Sequence, residues 1–298
     1  MLNNTRHILP GMPRHKLPGN ALPKGYSGAN SKRVSRDMLH LMKKLDPYML
    51  YSGGRDSLVA LHITAKLAES LHKQVYALHV DTTAATPGNR EYVERSCKEL
   101  GVELIVLKPK VDYFTLVERW GFPVMTRRWC KRYLKVFPVR DYLRDKDRER
   151  LILVDGVRAQ ESWMKRSIQN QTVEKPWRTY HDVLKCQVVH PVYDWSLDLV
   201  AEYIERNRLQ ENPLYEVYGK AFDCWCTVFK SPADLATLAV KNPEYFHRLV
   251  DLEATQRNGG SALFDRAHSR RVYLRDIEAH PEDYLDDGCS KTCACMTL

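Results

Sequence analysis

Ser52-Gly53-Gly54-Arg55-Asp56-Ser57 is the stretch on which the reading of this chain turns. Before it, Tyr48 to Tyr51 is a brief apolar run with the character of a strand. After it, Leu58, Leu61 and Ala65 recur at helical spacing, so a helix follows. Glycine opens backbone conformations closed to other residues and lets a ligand approach the main chain. The start of the next helix presents unpaired N–H groups and a positive dipole end. With Ser52 and Ser57 these make a cradle for the oxygens of a pyrophosphate or sulfate. Arg55 adds a positive charge, and Asp56 either caps the turn or binds magnesium. A plain helix cap after a tight turn explains a serine and a glycine, but not both glycines with Arg55 and both serines. The Gly-x4-Gly-Lys spacing of the nucleoside-triphosphate P-loop is absent.

Outward from the loop, strand and helix patterns alternate. Arg36 to Leu45 reads as a short helix. Val75 to Val80 reads as a strand ending at Asp81, and Tyr92 to Leu100 as a helix stopped by Gly101. Val102 to Leu107, Leu151 to Val154 and Val188 to Val192 complete five strands. This alternation predicts an α/β fold, a doubly wound and mostly parallel sheet with helices on both faces. Ligands of such sheets sit at the carboxyl ends of the strands. Those ends carry Ser52 to Ser57, Asp81, and Asp155 to Arg158. We expect a basic, Pro/Gly-rich arm over 1–33, the α/β domain over 34–218, and a cysteine-bearing helical region over 219–298.

The chain has 298 residues, 44% hydrophobic and 28% charged, which is ordinary globular usage. No run of about 18 apolar residues is present, so no membrane span is expected. No secretory pattern is seen either, so a cytoplasmic location is expected. Lys and Arg number 46 against 37 Asp and Glu, a net charge of +9. Residues 1–44 hold nine of those bases and a single acid, Asp37. The arm is either a solvated tail along the body or a contact for nucleic acid through its phosphates. A second basic cluster, Arg127, Arg128, Lys131, Arg132 and Lys135, surrounds Cys130. Positions 128, 131, 132 and 135 share one face of an α-helix. Such a face stabilises a phosphate or sulfate leaving group, or is simply solvated. Trp195 reads as core, and Cys97 and Cys186 as ordinary buried thiols.

Ser52 to Ser57 resembles the Ser-Gly-Gly-Lys-Asp-Ser PP-loop of the ATP pyrophosphatases, with Arg55 in place of lysine. Further segments resemble the phosphoadenosine phosphosulfate (PAPS) reductase branch. These are Asp81-Thr82-Thr83, Arg128-Trp129-Cys130 with Lys135, and Gly156-Val157-Arg158 with Glu161-Ser162. Pro191 to Trp195 and Asn212-Pro213-Leu214-Tyr215 also match. The resemblance runs from about Tyr48 to Phe246. It implies an adenine nucleotide alpha hydrolase-like core of five strands. It also implies ATP or an adenylyl sulfate-type nucleotide on the loop, with Mg2+. The nucleotide-binding residues are then Ser52, Gly53, Gly54, Arg55, Asp56, Ser57, Asp81, Arg128, Lys131, Lys135, Gly156 and Glu161, with Arg158 as the anion clamp.

Eight cysteines without an export signal read as thiols, metal ligands or redox groups of a reducing compartment. The cations around Cys130 favour its thiolate. Cys224-Trp225-Cys226 resembles the Gly-Cys-Trp-x-Cys-Pro segment of iron–sulfur relatives, one residue shorter and without the proline. The resemblance implies a [4Fe-4S] cluster on Cys130, Cys224 and Cys226. Zn2+ is the alternative for such thiolates, and one tail cysteine, Cys289 as the first choice, would complete a four-thiolate site. Cys293 and Cys295 lie in the tail, where the sulfonucleotide reductases carry an attacking cysteine.

Three activities fit this pattern. One is ATP-dependent adenylation coupled to sulfur transfer, with a nucleic acid as acceptor and a sulfur-donor protein as partner. Another is a sulfonucleotide reductase that releases sulfite through a tail cysteine and a thiol reductant. The third is a nucleotide-binding regulator without turnover.

Overall fold

The computed structural model describes residues 29–160, 177–220, 224–228, 230–256, 263–265 and 270–285. Strands β1 (Asp46–Leu50), β2 (Tyr76–Val80), β3 (Glu103–Leu107), β4 (Leu151–Val154), β5 (Arg178–His181) and β6 (Cys186–Val189) form one sheet in the order β3-β2-β1-β4-β6-β5. Five strands run parallel, as the alternation predicts, and β5 returns antiparallel beside β6. That sixth strand is absent from the sequence reading. Its residues, Arg-Thr-Tyr-His, are polar and only partly buried, as suits an edge. β4 is buried along its whole length and β1 at four of five positions, as in central parallel strands.

Helix α1 (Ala29–Lys44) starts at Ala29 rather than Arg36. It lies with α2 (Arg55–Ser70), α3 (Asn89–Glu99) and α6 (Leu197–Arg206) on one face of the sheet. Met38, Met42, Leu58, Leu61, Tyr92 and Trp195 fill that layer. Burying each such side chain contributes about 1.5–3 kcal/mol. On the other face Val136, Val139 and Leu143 cover Tyr48, Leu50, Leu78 and Leu153. Val136 closes a π-helix over Lys131–Val136 that runs into α5 (Phe137–Tyr142), which carries Val139, and Leu143 opens the 3-10 turn that follows.

After α7 (Leu214–Tyr218) the chain builds α8 (Pro232–Lys241), α9 (Pro243–Ala254), α10 (Leu274–Ala279) and α11 (Glu282–Leu285). A reciprocal cap between Ser231 and Asp234 starts α8. These helices share a second core with α4 (Tyr113–Trp120), Trp129 and Leu134. Cys130, Cys224 and Cys226 lie inside it. Among the described residues no helix is long and apolar enough to cross a membrane.

The crossovers reverse direction between β1 and β4, so the segments after these two strands face each other. That is the switch point where doubly wound sheets bind ligands.

Candidate nucleotide site and thiol cluster

The loop between β1 and α2 takes its shape from glycine. Gly53 has φ +88°, and a β-carbon there would lie 2.6 Å from Asn89 Oδ1. Two buried amides hold the loop carbonyls. Asn89 Nδ2 donates to the Ser52 carbonyl at 3.1 Å, and Asn212 Nδ2 donates to the Gly53 carbonyl at 3.1 Å and to Asn89 Oδ1 at 2.8 Å. Ser57 Oγ donates to the Gly54 carbonyl at 2.9 Å and lies 3.1 Å from Ser52 Oγ. Gly54 precedes α2 in an extended conformation with no side-chain cap. Apart from the Arg55 amide, which donates to Tyr215 Oη, the first amides of this sixteen-residue helix lack an intrahelical acceptor and are suited to an anion.

Arg55 does not enter the cradle. Its guanidinium pairs with Glu211 and lies 4.1 Å from the centre of the Tyr215 ring, while its backbone amide donates to Tyr215 Oη at 3.2 Å. Asn212 and Tyr215 bring the Asn-Pro-Leu-Tyr segment against the loop. Asn89, Asn212 and Glu211 have structural roles here that the sequence reading did not assign, although the Asn-Pro signal stood out.

At the end of β4, Gly156 lies hard against the start of α2, and Arg158 forms an ion pair with Asp56 at 2.9 Å. Both side chains are largely buried. Burial raises the Asp56 carboxyl above its ordinary value even though Arg158 and Arg55 pull it down. Asp56 Oδ1 is buried with no hydrogen-bond partner. Asp155 holds the Val157 amide at 3.1 Å and binds His190 Nδ1. Glu161 lies outside the described residues.

At the end of β2, Asp81 accepts from the Thr83 amide at 3.1 Å and faces Arg90 at 3.8 Å and Lys108 at 3.7 Å. Buried His79 donates from Nδ1 to the Tyr51 carbonyl at 2.9 Å. Burial lowers its pKa, so the ring is neutral and Nε2 is a bare, buried acceptor without a partner. Sequence patterning gave no sign of this histidine, which reads as one more strand residue.

The basic cluster does not share one face. In a π-helix the turn is wider than in an α-helix, so Arg132 points to solvent while Arg128, Lys131 and Lys135 stay half-buried. Burial, then Arg128 and Lys135, depress the Lys131 ammonium to about 8, and Asp155 opposes them.

Cys130, Cys224 and Cys226 come together as the resemblance implies, all three buried. Cys224 Sγ lies 3.4 Å from Cys226 Sγ. A hydrogen bond from Cys226 lowers the Cys130 pKa, with help from Lys135 and Arg128 and against burial and Cys224. The Trp225 amide donates to the Ala84 carbonyl at 2.7 Å, which ties this cluster to the segment after β2. The metal-centre expectation is met only in that convergence. Among the described residues no group of three or more His, Cys, Asp or Glu side chains is arranged to hold a metal ion. Cys289, Cys293 and Cys295 lie outside the described residues. Cys97 and Cys186 are buried thiols with raised pKa values, as expected, and Trp195 is core.

An uncharacterized protein of Methanocaldococcus jannaschii is 26% identical over 68% of this chain and 46% of its own length. A second from the same organism is 27% identical over 58% of this chain and 33% of its own length. The chain therefore spans less than half the length of these two relatives. Sulfate adenylyltransferase subunit 2 of Rhizobium meliloti is 25% identical over 62% of this chain and 67% of its own. Among solved structures, a Candida auris PAPS reductase in a phosphate complex aligns at 14% identity and TM-score 0.44, over 66% of this chain and 94% of that one. The U34-tRNA thiolase NcsA of Methanococcus maripaludis, with its [4Fe-4S] cluster, aligns at 14% identity and TM-score 0.46, over 90% and 83%. Residues 46–230, more than half of the chain, match the phosphoadenosine phosphosulfate reductase domain family, and the chain belongs to that family.

Proposed function

We propose that this chain is an ATP-using enzyme that adenylates an oxygen of its acceptor and then delivers sulfur to the activated position. The observation that supports it most is the glycine turn at the switch point, where Gly53 at φ +88° packs against Asn89 and Gly156 stands against the Ser57 main chain, so that the ends of β1 and β4 close on one crevice. In this reading the amides at the start of α2, with Ser52 and Ser57, hold the phosphates. An acceptor oxygen attacks the α-phosphorus. The bond to the bridging β-phosphate oxygen breaks, and pyrophosphate leaves with the electron pair. Arg128, Lys131 and Lys135 take up the leaving charge. A sulfur nucleophile then displaces AMP. Cys130, whose thiolate is favoured by Cys226 and two cations, is the group suited to carry that sulfur. It takes the outer sulfur of a donor protein's persulfide, whose own thiolate leaves, and its terminal sulfur displaces AMP. Cys226 thiolate then cleaves the resulting disulfide, freeing the thiolated acceptor and leaving a Cys130–Cys226 disulfide for a thiol reductant. Relatives named for adenylyl transfer support the first step, and their naming as a subunit supports a partner subunit.

Magnesium fits beside the cradle. Asp56 Oδ1 is an orphaned carboxylate oxygen, and Mg2+ takes one or two carboxylates together with substrate phosphates. A [4Fe-4S] cluster or Zn2+ at the thiols is a second reading. It is favoured by two buried phenols beside them, Tyr113 and Tyr245, whose hydroxyls have no partner. The trio needs a further ligand, and no step is assigned to it. An anaerobic absorbance spectrum with iron and zinc analysis tests that reading.

The test of the main reading is acceptor-dependent release of pyrophosphate from ATP. Sulfite released from PAPS with thioredoxin and no ATP would replace it by the reductase reading, in which Cys293 or Cys295 attacks sulfur. Nucleotide affinity without either product would leave a regulator.

A further inference from the structure

Between Arg119 and Arg140 the chain carries seven basic residues and no acidic one. The segment has two sides. Arg128, Lys131 and Lys135 are half-buried near Cys130, whereas Arg119, Arg127 and Arg132 are exposed. Between the exposed cations runs a short strip of rings. Trp120 is 39% exposed and Tyr133 37%, with centroids 4.8 Å apart. Tyr133 lies 5.0 Å from Phe137, and the Arg132 and Arg140 guanidinium carbons lie 5.1 and 4.0 Å from the Phe137 ring centre. Arg127 fixes the start of the strip by donating to the Trp120 carbonyl at 2.7 Å. Val124 and Met125 are exposed beside it.

Large exposed side chains gathered in one patch mark an interaction surface. The excess of positive charge, which remains although Arg140 is paired with Asp141 at 2.8 Å, selects a polyanion, and the rings select one that presents flat, unstacked faces. Phosphates and splayed bases meet both demands. A duplex keeps the faces of its bases stacked inside, and a lipid surface would leave the guanidinium-on-ring geometry without a use. The rings meet tilted or edge to face, at 59° and 65°, and Arg132 and Arg140 lie against Phe137, so Trp120 and Tyr133 leave room for one or two bases such as an RNA loop displays, rather than for a long tracked strand.

We propose that this strip docks the single-stranded loop of a folded RNA and brings its acceptor nucleotide to Lys131 and Cys130 on the inner side of the same segment. The docking stands on the surface itself. The chemistry that follows rests on the adenylation reading, for which it names the acceptor class.

The test is fluorescence anisotropy of the full chain with a labelled RNA hairpin, an RNA duplex of equal length, a single-stranded DNA of the loop sequence and polyglutamate. ATP affinity is measured in parallel. Tyr133→Ala and Arg132→Glu should each weaken hairpin binding by about tenfold or more. Tyr133→Phe should bind like the parent, and ATP affinity should be unchanged in all three. Arg132 is exposed, so its variant reports even where Tyr133→Ala folds poorly. Hairpin binding indifferent to both substitutions overturns the proposal, as does equal affinity for the duplex, the DNA or polyglutamate. Absence of ATP binding in the parent chain instead defeats the adenylation reading and leaves the docking result to be judged alone.

Discussion

A β-carbon placed on Gly156 would lie 2.5 Å from the Ser57 backbone nitrogen and 2.7 Å from its α-carbon. The end of β4 and the start of α2 therefore meet main chain to main chain. The neighbours at that contact are backbone atoms and cannot rotate away. Glycine at position 156 keeps the two halves of the switch point close enough to enclose one ligand.

Gly156→Ala should accordingly reduce ATP affinity by tenfold or more, because either β4 or the helix start must move. Its stability cost should be about 1–3 kcal/mol, the usual penalty for overpacking. Gly101→Ala is the control. Nothing lies within 4 Å of that position, but φ is +65°, so the cost is roughly 1 kcal/mol of backbone strain with no change in ATP affinity. Titration calorimetry and urea melts of both variants decide the matter, and equal losses of affinity would refute the argument.

The Arg158–Asp56 pair predicts a pH-dependent defect. The folded-state pKa of Asp56 is raised, so the folded protein binds this proton more tightly than the unfolded chain. The stability it contributes is lost as pH rises through the folded value. Arg158→Ala removes a lowering influence and moves that value further up, leaving a buried charge unpaired at neutral pH. The variant should lose about 3–5 kcal/mol at pH 7 and less at about pH 5. Asp56→Asn in the same background should restore part of the loss at pH 7. A deficit independent of pH would mean that Asp56 is not the group left behind.

Much of this site was legible because its signals are local. Two glycines and two serines between a strand and a helix specify the cradle within six residues. β5 was not legible, because Arg178 to His181 lacks an apolar alternation and is held in place by the ladder to β6. The π-helix over Lys131–Val136 reads like any α-helix in sequence, and its hydrogen bonding, with the Phe137 amide donating to the Arg132 carbonyl five residues back, is what reveals the wider turn. With α-helical spacing, Arg128, Lys131, Arg132 and Lys135 would share one face. The meeting of Cys130 with Cys224 and Cys226 spans about ninety residues, a separation at which periodicity carries no information. Family resemblance alone suggested it.

Cys130 offers a direct reading of the thiol cluster. Its pKa is lowered first by the hydrogen bond from Cys226. Cys226→Ala should move its ionisation to higher pH, which thiolate absorbance in an ultraviolet pH titration reports. Cys97→Ala should leave the lower part of that titration unchanged, since burial pushes the Cys97 thiol up to about 12. An unshifted curve in Cys226→Ala would assign the low-pH thiolate to another cysteine.

Lys131 ties the inner basic side to anion binding. Its ammonium titrates at about 8 because it is buried beside Arg128 and Lys135, with Asp155 opposing them. An anion that depends on this charge should bind less tightly as pH rises through that value. Pyrophosphate affinity in the parent chain should therefore fall several-fold between about pH 7 and pH 9. Asp155→Asn removes the stabilising carboxylate and should move the fall to lower pH. Lys131→Arg keeps its charge throughout this range and should flatten the profile. Calorimetric titrations across this range distinguish the three proteins. A parent profile that Lys131→Arg leaves unaltered would show that pyrophosphate is held without Lys131, by the helix amides of the cradle and the remaining cations.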